Sequence, residues 1–391
     1  MRLIDVLPEQ EGEILWIHEY PEWPGFVWRS EVLMPLLAEI RWQQGNLLGR
    51  MQSLGFDLRQ DAGLDALTDD VVRSSAIEGM QLDRPEVRSS IARRLGMPVK
   101  GLVPSSRHVD GIVEMMLDAV RNFSQPLTKE RLFNWHAALF PTGRSGMVPI
   151  TVGNWRSPEM EPMRVVSGPV GHEKVHFEAP SAIRVDQEMT AFLKWYEHDT
   201  GTDPVLKAGI AHLWFVTIHP FEDGNGRIAR AITDMALARA DGSSDRFYSL
   251  SRQIERERQD YYSQLERQQR RTLDITGWLA WFLACFGRAL DAAQDAVAKV
   301  LLKASIWENL NRHPVNERQR KMVNRMLEDG FEGFMNTGKY ARMMACSKDT
   351  ALRDIQALKS WGILIQNPGR GRSISYRIAG MEQESGFLNQ P

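Results

Sequence analysis

Apolar residues recur at helical spacing along most of this 391-residue chain and alternate at strand spacing only in short stretches. Residues 30–48 carry Leu33, Leu36, Leu37 and Ile40 on one stripe and predict a helix. Residues 64–77 repeat the pattern and stop at Gly79, where a glycine suits the left-handed turn that closes a helix. Pro126, Thr128 and Glu130 introduce a helix bearing Leu132, Trp135 and Leu139, and Pro141 and Gly143 close it; residues 183–196 form another amphipathic stretch. Ahead of the first helix, Trp16, Trp23, Phe26 and Trp28 cluster around Pro21 and Pro24 as a compact aromatic turn. Two β-branched runs within 163–177, around Gly168, Pro169 and Gly171, predict a hairpin, which needs helices to support it. Residues 337–361 read as two short helices separated by Cys346, Ser347 and Lys348. A strand at 363–365, a turn at 368–371 and a strand at 373–378 follow, the order of a winged helix. The expected fold is mainly α: a helical N-terminal module over 1–100, a helical core with a hairpin over 105–290, and a winged helix over 300–380.

Composition sharpens this picture in two places. With 43% hydrophobic and 25% charged residues the chain can bury ordinary cores, and its length suits two or three domains. Its formal net charge of -2 offers no global attraction to nucleic acid or membrane, so such affinity must be local. One local surplus exists: residues 301–378 hold 14 Lys and Arg against 7 Asp and Glu. Lys348, Arg353, Lys359, Arg370 and Arg372 fall on the second helix and the hairpin, where a winged helix meets DNA phosphates; contacts to protein or a second copy would account for the module equally well. Cys285 and Cys346 stand alone and are read as packing residues. The aromatic-rich run 278–286 is far short of the ~20 residues that span a bilayer, and the N-terminus lacks a secretory pattern, so a cytoplasmic location is expected.

The chemistry concentrates in residues 219–230, His-Pro-Phe-Glu-Asp-Gly-Asn-Gly-Arg-Ile-Ala-Arg. Gly224, Asn225 and Gly226 let successive N–H groups turn toward one centre, and a helix beginning there adds its N-terminal dipole. Arg227 and Arg230, three apart, reach the same polyphosphate, while Asp223 is placed to hold a hard cation such as Mg2+. Phe221 anchors the loop, and His219 is suited to take a proton near neutral pH. Residues 224–229 also fit the dinucleotide pattern G-x-G-x-x-A, and 213–218 could serve by propensity as the strand it requires. No alternating strand–helix series supports that reading, and no G-x-x-x-x-G-K-[ST] loop occurs. A plain surface turn would explain the glycines but not the full string.

The string matches H-x-F-x-(D/E)-G-N-G-R-x-x-R, and the chain thereby resembles the Fic family, with Ala211, His212, Leu213, Trp214 and Phe215 upstream and Tyr261 and Tyr262 downstream extending the likeness. The resemblance implies an all-helical core and AMP transfer from ATP to a Ser, Thr or Tyr hydroxyl of a target protein. His219 would deprotonate the hydroxyl, Asp223 would bind Mg2+, and Gly224 to Gly226 with Asn225 would hold phosphates. Arg227 would hold the leaving pyrophosphate, Arg230 the γ-phosphate, and Phe221 would seat the loop. Whether transfer or removal of AMP dominates stays open, as does use of the core as a nucleotide sensor on a DNA-binding regulator.

Within the same resemblance, Ser74, Glu78 and Gly79 fit the inhibitory pattern (S/T)-x-x-x-E-(G/N), whose glutamate would pair with Arg230; taken alone, the segment is a capped helix end. The hairpin 163–177 looks like the flap on which an extended target segment docks by strand addition. His172 and His176 read as solvated flap residues and His212 as a buried structural histidine. Tyr261 and Tyr262 would line the nucleobase pocket or pack the core. A homodimer is compatible with this reading.

Overall fold

Side-chain caps set the starts of many of the helices. The structure, a computed structural model, describes residues 16–52, 55–97, 101–160, 162–168, 172–327, 331, 334–368 and 374–380. Among the described residues lie α1 (Ser30–Gln52), α2 (Phe56–Ile77), α3 (Arg84–Arg94), α4 (Arg107–Arg121) and α5 (Lys129–Leu139). Strand pairs β1 (Arg144–Ser145) with β2 (Val148–Pro149) and β3 (Arg164–Ser167) with β4 (Lys174–Glu178) follow. Next come α6 (Ala182–His198), α7 (Pro204–Ile218), α8 (Asn225–Asp241), α9 (Leu250–Arg256), α10 (Arg258–Gln269) and α11 (Thr276–Asn311). The last elements are α12 (Glu317–Leu327), α13 (Thr337–Met343), α14 (Lys348–Ser360), β5 (Leu364–Gln366) and β6 (Tyr376–Ile378). Asp83, Ser106, Thr128, Asp203, Ser249, Asn336 and Ser347 each accept a first-turn N–H, satisfying donors that the helix leaves open. The protein is thus mainly helical with small antiparallel strand pairs, as its hydrophobic pattern predicts.

Two compact units divide between Gln294 and Asp295, inside α11. In the first, α7 is the central element: every residue of 205–218 except Lys207 is buried. A helix apolar on all sides belongs in a core. That decides against a strand at 213–218 and leaves the dinucleotide pattern without the strand it needs. Helix α2 starts eight residues before the predicted 64, and α3 and α4 lie where the sequence reading placed no helix. The hairpin falls where predicted, with Val166 facing Val175 in the register. Its residues Pro169 and Gly171 lie outside the described residues.

The second unit packs α12, α13, α14 and the β5–β6 hairpin around Leu310, Val323, Ile355, Leu358 and Ile363. Buried Asp354 ties its helices together, accepting from Arg318 Nε (3.0 Å), Asn316 Nδ2 (2.9 Å) and the Tyr340 hydroxyl (3.2 Å). Lys348 opens α14 rather than separating two helices, and Arg370 and Arg372 lie outside the described residues. No helix among the described residues is long and apolar enough to cross a membrane. Cys285 is buried and Cys346 partly so; both are free thiols.

Helix α4 crosses α5 so closely at Gly111 that a methyl group there would overlap the Ala138 carbonyl. Backbone cannot rotate aside, so Gly111→Ala is expected to destabilise the first unit by about 3 kcal/mol, read from the urea midpoint.

Candidate functional site

The loop between α7 and α8 is fixed at both ends by left-handed residues. His219 closes α7 at φ 52°, ψ 57°, and Gly224 opens α8 at φ 84°. A non-glycine residue in that region costs about 1–3 kcal/mol and persists only where neighbours hold it. Here Arg156 does so: its Nε donates to the His219 carbonyl (2.9 Å) and its N–H to the Pro220 carbonyl (2.9 Å). Phe221 is fully buried, stacked on His136 at 4.2 Å and 7° and flanked by Trp155 at 5.2 Å. The Asn225 side chain clasps the Phe221 backbone, accepting its N–H (3.0 Å) and donating to its carbonyl (2.8 Å). Asn225 is expected among the phosphate holders; in the structure its amide oxygen and one of its two amide N–H groups hold the loop.

His136 braces the loop from α5. Gly153 N–H donates to its Nδ1 (3.1 Å), so its Nε2 carries the proton and donates to the Asp223 carbonyl (3.2 Å). Burial depresses its pKa to about 4 and keeps the ring neutral. His136 and Arg156 were not singled out from the sequence, since they lie 83 and 63 residues before His219 and no local pattern ties them to the loop.

The anion side of the site is assembled from buried guanidinium groups. Arg227 and Arg230 are each 2% exposed. Arg227 lies over the Phe140 ring at 5.0 Å, and its Nη2 is 3.7 Å from Asp223 Oδ2. Arg230 Nε donates to Ser74 Oγ, and its Nη2 to the Ser74 carbonyl and to Glu78 Oε1, each at 2.8 Å. Arg227 Nε and Nη1 and Arg230 Nη1 are buried without a hydrogen-bond partner. Three uncompensated donors beside the first turn of α8, whose own N–H groups lack intrahelical partners, call for a polyanion. Burial works against charge on Arg230, but the Glu78 carboxylate more than offsets it and the pKa is raised; on Arg227 burial prevails and it is lowered.

Glu78 sits over this first turn. A methyl group on Gly226 would collide with its Oε1, so the carboxylate fills the space above the glycine nest. Gly79, at φ 81°, ends α2 directly after it. Asp223 is 42% exposed at the rim, with Oδ1 capping the Gly224 N–H and Oδ2 accepting from Ser145. No group of three or more His, Cys, Asp or Glu able to hold a metal occurs among the described residues. A lone exposed carboxylate still fits Mg2+, which keeps several waters and takes its other ligands from phosphate oxygens.

His219 is partly buried, and its Nδ1 lies 3.3 Å from the Val216 carbonyl. A carbonyl only accepts, so Nδ1 carries the proton and the Nε2 lone pair is free to take another. Burial, ahead of every other influence, lowers its pKa to about 4. Tyr261 is in the core at 2% exposure, its hydroxyl on His212 Nε2 (2.9 Å), while His212 Nδ1 meets Thr233 Oγ1 (2.9 Å). Tyr261 is therefore a buried packing residue that presents no face to a nucleobase in this conformation, and His212 is structural. Tyr262, 38% exposed, donates to the Ile77 carbonyl (3.2 Å) at the end of α2. The flap is pinned to α10 by His176 Nδ1 and Glu266 (2.7 Å) and by Arg270 and the Val175 carbonyl (2.6 Å), while His172 is exposed. Val165 and Val166 face outward.

Residues 126–237 match the Fic/DOC family, and residues 16–97 match a domain of unknown function, DUF4172. Among similar curated proteins is the protein adenylyltransferase Fic of Nematostella vectensis, 24% identical over 226 residues, 57% of this chain and 47% of that protein. The protein adenylyltransferase Fic of Drosophila ananassae is 44% identical over 54 residues, 13% of this chain and 11% of that protein. The chain thus spans at most about half the length of these relatives. Similar solved structures include a Fic family protein from Desulfovibrio desulfuricans, 22% identical with TM-score 0.49, covering 90% of this chain and 97% of that one. A Fic domain containing signaling protein from Bacteroides thetaiotaomicron is 22% identical with TM-score 0.48, covering 68% of this chain and 96% of that one.

The lowered pKa of His219 yields a prediction that needs no substrate. Its ring, followed by NMR, should gain a proton only as pH falls toward about 4, staying neutral through the range where an exposed imidazole titrates near 6.5.

Proposed function

With residues 126–237 a Fic/DOC domain, we propose that this chain transfers AMP from ATP to a Ser, Thr or Tyr hydroxyl of a target protein and is restrained by Glu78. The observation that carries the reading is the set of buried, unpartnered donors on Arg227 and Arg230 beside the first turn of α8. A triphosphate supplies acceptors for all of them, where a single small anion would leave some unmet.

The steps follow from the geometry. The neutral His219 ring offers its Nε2 lone pair to the target hydroxyl. As the proton passes to Nε2, the hydroxyl oxygen bonds to the α-phosphorus, the bond from that phosphorus to the bridging oxygen breaks, and pyrophosphate leaves. Arg227 and the N–H groups of the first turn neutralise the charge that develops on the leaving group. Mg2+ held by Asp223 would add neutralisation across the phosphate oxygens. The flap edge around Val165 and Val166 offers backbone to an extended target segment. Arg230 is contested: its Nη2 bonds Glu78, and a γ-phosphate needs the same fork of donors. Phosphate and carboxylate are alternative occupants of one site, so the restraint is competitive and lies within one chain.

Glu78→Gly is expected to raise transfer, including self-modification, by about tenfold, the scale of one charge-assisted hydrogen bond at a partly exposed carboxylate. His219→Ala in the same background should abolish it while ATP binding persists. Intact-mass measurement after incubation with ATP and Mg2+ reads both; equal masses for Glu78→Gly and wild type would remove the restraint, and an AMP adduct on His219→Ala would remove the base.

A second reading concerns the second unit. Lys348, Arg353 and Lys359 are exposed along one side of α14, with Ser347 capping its start. We propose that this face meets duplex DNA phosphates. Full-length protein should bind duplex DNA with a strong salt dependence, and replacing the three cations by Ala should lower the slope of log affinity against log salt by about 2–3. An unchanged slope would assign the face to protein contacts.

A further inference from the structure

Two helical turns before Glu78, α2 is held by a second polar cluster. Asp70, Ser74 and Glu78 are spaced by four, so they share one face of the helix. Asp70 is 1% exposed, and its Oδ1 accepts from Ser249 Oγ (2.6 Å) and from the Ser251 N–H (3.2 Å) at the start of α9. From α8, Asp234 binds Arg246 through Oδ1 (2.6 Å) and through its carbonyl (3.0 Å), and both residues are 1% exposed. Asp241, seven residues on, accepts from the Tyr248 hydroxyl (2.8 Å) and from the Gln44 amide of α1. Arg230, one turn before Asp234, belongs to the same helix face and is the residue that Glu78 holds.

The charges around this cluster do not cancel. Asp234 pairs with the Arg246 guanidinium, which also lies in the field of Asp70 and Asp241 and rests on the Tyr248 ring at 4.3 Å. The neighbouring cations are engaged elsewhere. Arg41 of α1 pairs with Asp203 (2.9 Å), and Arg84 of α3 and Arg252 of α9 pair with Asp69 (3.2 and 3.1 Å). Arg73 of α2 faces Glu255 of α9 (3.7 Å), and Arg230 is committed to Ser74 and Glu78. From α4, His108 meets Met80, and burial lowers its pKa, so it adds no cation. Burial likewise raises the pKa of the Tyr248 hydroxyl, so it adds no anion. Three carboxylates sharing one cation away from water cannot all ionise without a large desolvation cost, so one keeps its proton. Asp70 lacks an ion-pair partner of its own: its contacts are a hydroxyl and a backbone N–H. We infer that Asp70 is the positioning residue of the restraint: while protonated it holds α2 against α9, which keeps Glu78 on Arg230, and losing its proton loosens α2 and frees Arg230. The consequence for catalysis rests on the transfer reaction proposed above; the clamp does not.

Burial first, and then Asp234, raise the pKa of Asp70 from 3.8 to about 8 while α2 is docked. A helix that has lifted away returns the carboxyl to its ordinary value, so the docked state binds the proton more tightly. Docking is therefore strongest below about pH 4, weakens as pH rises from about 4 toward 8, and is flat above. The sign is opposite to that of a carboxylate held by an ion pair.

Amide hydrogen exchange on the full chain without nucleotide tests this directly. After correction for the intrinsic rate, protection of residues 74–79 should fall by about tenfold or more between pH 6 and pH 8, relative to α8. In Asp70→Asn, a neutral isostere that still accepts the Ser251 N–H, protection should stay level. Level protection in wild type, or the same fall in Asp70→Asn, would overturn the inference. Infrared spectroscopy of the wild type serves even if Asp70→Asn fails to fold: a protonated carboxyl band present at pH 6 should titrate out near pH 8, and its absence at pH 6 would overturn the inference. Absence of transfer from every variant would instead remove the proposed reaction, with the exchange and infrared profiles still deciding the clamp.

Discussion

A guanidinium buried in a protein core must have anions or carbonyl oxygens around it, and Arg230 imposes that constraint on this structure. It is 2% exposed on a helix that is buried from Arg227 to Ala238. The groups that answer it come from far away in the chain: the Ser74 hydroxyl and carbonyl and the Glu78 carboxylate of α2. Helix α2 is thus drawn against α8 by the same residue that, in the proposed reaction, receives the substrate. In the proposed function, restraint and binding share a donor set, so filling one removes the other.

The loop before α8 solves a different problem, that of holding backbone in a costly conformation without borrowing from the anion site. Phe221 is gripped by aromatic rings, Asn225 clasps its backbone, Arg156 takes two carbonyls, and His136 takes a third. Three of these four side chains, those of Phe221, Asn225 and His136, carry no charge. Arg227 Nε and Nη1 and Arg230 Nη1 are left without a hydrogen-bond partner, a condition that favours binding of an anion. His219 gains from the same enclosure: burial keeps its ring neutral, so that it can accept a proton instead of already holding one.

Much of this was legible in the residues alone. Helical periodicity located α1, α5 and α6 because each buries one face, two β-branched runs located the β3–β4 hairpin, and the string 219–230 read as a phosphate nest because its glycines and arginines lie close together. Residues 213–218 were ambiguous because a fully buried helix and a buried strand are both continuous apolar runs, and only packing on every side of α7 separates them. Helix α3 lacks a clear apolar stripe, with Ser89 and Ser90 buried among its few apolar residues, so periodicity could not find it.

What the sequence by itself determined was the set of local chemistries: a nest, two arginines, a candidate base, and a glutamate before a glycine that ends a helix. What only the tertiary structure decided was which groups meet. Glu78 reaches Arg230 across 152 residues, Asp70 reaches Ser249 across 179, and the Asn225 side chain clasps the Phe221 backbone. The physical reason is that helical spacing fixes neighbours along one helix, whereas hydrogen bonds and desolvation act between whichever surfaces are buried together, and nothing in local sequence encodes that pairing.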